Sequence, residues 1–152
     1  MLRPIVTVAA GALLAAGLSA GTASAAPSAK MQDTDGNSVG EVTLQETPHG
    51  VLLHAKLDNM PAGTHAFHVH QTGKCEPPFK SAGGHFNPTG AEHGILNEKG
   101  MHVGDMPNIH VPDAGALEIE VLNTRLALDD ELFDDDGAAI VIHEGADDYR
   151  TD

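Results

Sequence analysis

Ten histidines stand in a chain of 152 residues, and six of them form a set with one aspartate. The set is His68 and His70 on either side of Val69, then His85, His93, His102, Asp105 and His143. Imidazole is the side chain best suited to zinc and copper. Six imidazoles and a carboxylate are more than one tetrahedral site can use. The surplus points to two metal ions close together. A ligand shared between them is feasible because an imidazole ring carries two nitrogens.

The spacing supports a division of the set. His68 and His70 are two apart, so on a strand both rings point to one face while Phe67 and Val69 point to the other, toward a core. His85, His93, His102 and Asp105 give three imidazoles and a carboxylate, a donor set for closed tetrahedral zinc. Asp105 lies three residues after His102, close enough for a tight turn to aim both at one ion. His68, His70, His85 and His143 give a four-nitrogen set that suits Cu(II). In this scheme His85 serves both ions, although spacing alone leaves the bridge open.

The elements that must hold these residues read as strands. Alternating or short apolar runs over 39–44, 50–57, 64–70, 116–122 and 138–143, separated by Gly, Pro, Asn and Asp, predict an all-β antiparallel sandwich or barrel. From Gln71 to Pro112 the pattern breaks into a Gly- and Pro-rich loop. A loop of that length is uncommon unless functional, and this one carries four of the seven candidate ligands. Bound metal would supply order where a core does not. The acidic run from Asp129 to Asp136 reads as a solvated connection.

Residues 1–25 read as an export signal. Met1-Leu2-Arg3 is basic, Ile5 to Ala20 is apolar, and Ala23-Ser24-Ala25 fits a cleavage site. A single domain over 26–152 is expected, without a stable membrane anchor, in a periplasmic or extracellular location. The full chain carries a net charge of −14, and loss of Arg3 with the signal lowers it by one to −15. That acidity argues against nucleic-acid and anionic-membrane partners. The single cysteine, Cys75, is unusual for an exported protein, where cysteines pair.

The runs Ala66-Phe67-His68-Val69-His70, Ser81-Ala82-Gly83-Gly84-His85-Phe86-Asn87-Pro88, His102-Val103-Gly104-Asp105 and Ile142-His143-Glu144-Gly145-Ala146-Asp147-Asp148 resemble copper/zinc superoxide dismutases, above all the bacterial exported branch. The resemblance covers roughly Val39 to Arg150. It implies a Greek-key β-barrel and dismutation of superoxide to oxygen and hydrogen peroxide, with copper and zinc as cofactors. It assigns His68, His70, His85 and His143 to copper, and His85, His93, His102 and Asp105 to zinc. His85 becomes both bridge and catalytic proton carrier. Asp147 becomes the outer carboxylate linking a copper-ligand histidine to a zinc-ligand histidine. Cys75 becomes half of a disulfide, and His65 a hydrogen-bonding core residue. His49, His54 and His110 match no ligand position. Family members are commonly dimers, so a homodimer is among the expectations. The alternative is a non-catalytic copper- and zinc-binding module of the same fold, but the presence of all seven ligands favours the enzyme.

The sequence also departs from the family. Beyond the position of His143 the family continues through a charged loop, an arginine near copper, a second half-cystine and a last strand. None of these is in the sequence, and Arg150 comes too early to be that arginine. A fragment of a longer protein is therefore expected, with the last strand missing. Lys74, Lys80 and Lys99 are candidate substitutes for the absent positive charge. Ala66 stands where the family more often has glycine.

Overall fold

The computed structural model describes residues 26–150. The export signal expected over 1–25 lies outside the described residues. Among the described residues eight strands follow one another: β1 Ser28–Gln32, β2 Ser38–Thr47, β3 Gly50–Leu57, β4 Gly63–His65, β5 Phe67–His70, β6 Ile109–Val111, β7 Leu117–Asn123 and β8 Ala139–Ile142. Among the described residues, no helix is long and apolar enough to cross a membrane.

The main sheet has the order β1-β2-β3-β7, all antiparallel. Its register follows from the period-2 patterning. Leu44 pairs with Leu53, Val42 with Ala55, and Leu57 with Leu117, placing apolar side chains on one face. That face packs with Phe67, Val69, Met106, Ile109 and Leu126 into one buried cluster. The hairpin between β2 and β3 needs only Pro48 and His49, because Gly50 takes a φ of 121° that other residues avoid.

The strand expected over 64–70 is two strands. β4 pairs with β6, and β5 pairs with β8. The change of partner occurs at Ala66, whose N–H donates to Gly145 and whose carbonyl accepts from His143. Ala66 is buried and is not among the positive-φ residues, so alanine is accommodated here without strain. β1 and β6 were not foreseen. β6 is only three residues long, too short for alternation to stand out from its loop. Among the described residues the strands do not hydrogen-bond into a closed ring; they form the four-stranded sheet and two ribbons, β4-β6 and β5-β8.

The acidic run is exposed at Asp129, Asp130, Glu131 and Asp134–Asp136, as expected of a solvated connection. Leu132 is the exception: it is buried and joins the core. Asp129 Oδ1 accepts the main-chain N–H groups of Glu131 and Leu132, which turns the chain at that point.

The long loop docks onto β5. Isolated bridges join His68 to Asp105 and His70 to His85. Val69 donates to Gly104 and accepts from Phe86. β5 thus lies between β8 and the loop, with core on one face and the histidine cluster on the other.

Candidate metal centre

All seven candidate ligands come together. Two groups of donor atoms, His68-His70-His85-His143 and His85-His93-His102-Asp105, each lie within 4.8 Å of one another. His85 belongs to both.

Around Asp105 the separations are short. His85 Nδ1 is 2.8 Å from Oδ1, His93 Nδ1 is 3.0 Å from Oδ2, and His102 Nδ1 is 3.4 Å from both Oδ1 and His85 Nδ1. Donors about 2.0 Å from a tetrahedral zinc ion are about 3.3 Å apart. The cluster therefore has the dimensions of such a site. On the other side, His70 Nε2 and His143 Nε2 are 3.3 Å apart.

Outer contacts fix which nitrogen each ring offers. His68 Nε2 donates to Asp147 Oδ2 at 2.8 Å and His93 Nε2 donates to Asp147 Oδ1 at 3.0 Å. His70 Nδ1 donates to the Gly83 carbonyl at 2.9 Å. These partners accept, so the protons sit on those nitrogens and the lone pairs on His68 Nδ1, His93 Nδ1 and His70 Nε2. His68 Nδ1 and His93 Nδ1 are buried without a hydrogen-bond partner. His93 Nδ1 lies 3.0 Å from Asp105 Oδ2, but its proton sits on Nε2, so Nδ1 has none to donate. Leaving such atoms unmatched costs about 1–3 kcal/mol each. Two buried lone pairs converging with imidazoles and a carboxylate fit a metal ion.

The electrostatics agree. Burial, with repulsion from His85 adding to it, pushes His68 and His70 down to about 4 and lowers His143 too. Their rings are neutral, as metal ligands must be. Asp105 is held well below the usual carboxylate range. Burial works against this, but hydrogen bonds from His85 and the N–H groups of Gly94 and His102, with the charge of His93, outweigh it. Asp147 is lowered against burial by the Tyr149 N–H and the rings of His93 and His68. His93 is raised: burial opposes this, but the two carboxylates prevail. The centre thus sets two carboxylates, both held below their ordinary range, beside the neutral rings of His68, His70 and His143.

A cavity of about 550 Å³ opens on His68, His85, His93, His102, His143 and Asp147. Lys74, Lys80 and Arg150 are exposed and do not line it. Lys99 pairs with Glu92 at 3.4 Å. Cys75 is exposed and free. His65 is buried, with its ring nitrogens 2.9 Å from the carbonyls of Pro61 and His143. It ties β4 to the His143 main chain. His49, His54 and His110 lie in neither donor group, and His54 meets Glu118 across the sheet at 3.0 Å.

Sequence reasoning missed the residues that brace the centre. Asn108 accepts the Asp147 N–H and donates to its carbonyl, both at 2.9 Å, and the Asn108 N–H donates to Tyr149 Oη at 2.7 Å. No spacing in one sequence announces such a contact, because the partners are about 40 residues apart along the chain.

Residues 38–152 match the family described as copper/zinc superoxide dismutase (SODC). Copper–zinc superoxide dismutase 2 of Aquifex aeolicus is 45% identical over 130 residues, covering 82% of this chain and 76% of the relative. The copper–zinc superoxide dismutase of Caulobacter vibrioides is 40% identical over 77% of this chain and 71% of its own. The crystal structure of a superoxide dismutase-like protein from Bacillus subtilis superposes with a TM-score of 0.78 at 33% identity, covering 82% and 87% of the two chains.

Proposed function

The chain belongs to the copper/zinc superoxide dismutase family, and from that premise we propose how its centre is organised. It is a superoxide dismutase, an oxidoreductase that converts two superoxide anions and two protons into dioxygen and hydrogen peroxide, with copper and zinc as cofactors.

We assign copper to His68 Nδ1, His70 Nε2, His143 Nε2 and His85. We assign zinc to His85 Nδ1, His93 Nδ1, His102 Nδ1 and Asp105. Bound copper supplies one-electron redox chemistry, and bound zinc supplies a redox-silent positive charge. The remaining work falls to the side chains. His85 turns Nδ1 toward Asp105, which leaves its other nitrogen facing the His68-His70-His143 group, where it would bind copper or, once released from the metal, hold a proton and donate it to the substrate. Asp147 keeps His68 and His93 in the tautomers that offer Nδ1 inward. Gly83 does the same for His70 through its carbonyl.

The observation that carries this reading is the membership of His85 in both donor groups, with an unmatched buried nitrogen in each, at His68 and at His93. Elemental analysis of the refolded, metal-loaded chain is expected to find one copper and one zinc per chain. Superoxide loss should be accelerated over the metal-free form. Zinc alone after loading with both ions contradicts the copper assignment.

We also propose that the protein is exported. Support comes from the basic start, apolar run and Ala23-Ser24-Ala25 site within residues 1–25.

A further inference from the structure

The end of β7 reaches the zinc-side loop at two points. Arg125 Nη1 donates to the Met101 carbonyl at 2.7 Å, and Asn123 Nδ2 donates to the Val103 carbonyl at 2.8 Å. These carbonyls flank His102. The Met101 carbonyl and the His102 N–H belong to the same peptide group, and that N–H donates to Asp105 Oδ2 at 3.0 Å. One peptide therefore stands between a permanent cation and the carboxylate of the metal cluster.

Two physical effects follow. A guanidinium on the carbonyl polarises the peptide and strengthens its N–H as a donor, because hydrogen bonds in a chain reinforce one another. Anchoring both flanking carbonyls also restricts rotation of the His102 main chain, and with it the aim of the ring. The anchor itself is well fixed. Asn123 is buried, and its Oδ1 accepts the N–H groups of Arg125 and Leu126, each at 3.0 Å. Leu126 is buried in the core. Arg125 is thus held at its main chain while its exposed side chain reaches the loop.

We propose that Arg125, seated by Asn123, is a positioning residue for the zinc site, acting on His102 and Asp105 through the Met101–His102 peptide. This rests on the reading of His102 and Asp105 as zinc ligands. Contacts that orient metal ligands typically carry a 10–100-fold effect on affinity.

The test uses the full chain with Arg125→Ala and Arg125→Lys. Zinc affinity is read by chelator competition, the site geometry by the visible bands of the cobalt(II)-loaded protein, and the fold by the melting temperature of the metal-free protein. Arg125→Ala is expected to bind zinc about 10-fold more weakly, with altered cobalt bands and little change in metal-free melting. Arg125→Lys, which keeps a cation, should recover part of the affinity. Wild-type cobalt bands with zinc affinity within about twofold in Arg125→Ala overturn the role of Arg125 alone. A lowered metal-free melting temperature with unchanged cobalt bands assigns Arg125 to the fold and also overturns it. Absence of tetrahedral cobalt bands in the wild type overturns the ligand assignment itself.

Discussion

Asp147 divides its two oxygens between His68 in one donor group and His93 in the other, at 2.8 and 3.0 Å. A carboxylate can accept at both oxygens, whereas an amide of the same shape accepts at one and donates at the other. Asp147→Asn therefore sets an N–H against one of the two Nε2–H groups. That ring loses its partner or turns over, and its Nδ1 no longer faces inward. The expected result is a 10–100-fold loss of affinity for the ion on that side, measured by competition with a chelator. Unchanged affinity for both ions would mean that neither histidine needs Asp147 for its orientation. The alternation of His68 and His70 and the turn from His102 to Asp105 are local, so they can be seen in the sequence. The choice of ring nitrogen is not local. It depends on Asp147 and on the Gly83 carbonyl, which reach their histidines only after folding.

At the scale of elements, the centre is closed by packing a loop against a distant segment. Leu96 donates to the Tyr149 carbonyl at 2.9 Å, and Asn108 binds both main-chain groups of Asp147. Gly94 makes the approach possible. Its φ is 108°, and a Cβ there would lie 2.1 Å from the Tyr149 carbonyl oxygen. Its N–H also donates to Asp105 Oδ2. Gly94→Ala combines a strained backbone with a collision against main chain. The backbone strain alone is expected to cost about 1–3 kcal/mol. Thermal unfolding should show a lower melting temperature, and chelator competition should show weaker zinc binding. An alanine variant as stable as the parent would show that the Gly94 contact with Tyr149 is not needed. The glycine is visible in the sequence as one of many in the loop. The need for it is not, because Tyr149 lies more than 50 residues away.

For the molecule as a whole, the buried rings set the response to pH. Unfolded, His68, His70 and His143 titrate near 6.5; folded, the first two are pushed down to about 4 and His143 is lowered as well. Between pH 6.5 and about 4 the unfolded chain therefore binds more protons, so these groups lose stabilising effect as the pH falls through that window. His93 acts in the opposite sense. Its raised pKa gives a contribution that is present at low pH and lost as the pH rises through the folded value. Three lowered rings oppose one raised ring. Asp105 and Asp147, both held below 3.8, add further loss under more acidic conditions. Calorimetry of the metal-free protein is expected to show its melting temperature falling steadily from about pH 7 to pH 4. A level or rising trend would contradict the burial of neutral imidazoles. The net charge of −14 acts at this scale too, opposing the long-range approach of an anionic substrate. Salt limits that repulsion to a Debye length of about 8 Å.

The sequence by itself determined the donor types, their order along the chain, the strand that carries His68 and His70 and the one that ends just before His143. Donor chemistry belongs to single residues, and alternation is a property of neighbours. Only the tertiary structure decided that β4 and β5 part at Ala66 and that β5 is enclosed by the loop. It also decided that Asn108, Asn123, Arg125 and Tyr149 brace the centre. Those contacts join segments far apart in the chain, and a hydrogen bond between them leaves no periodic trace in the sequence. The cluster of donors was legible because its residues are chemically rare. Its support was not, because asparagine, arginine and tyrosine look ordinary until folding gives them partners.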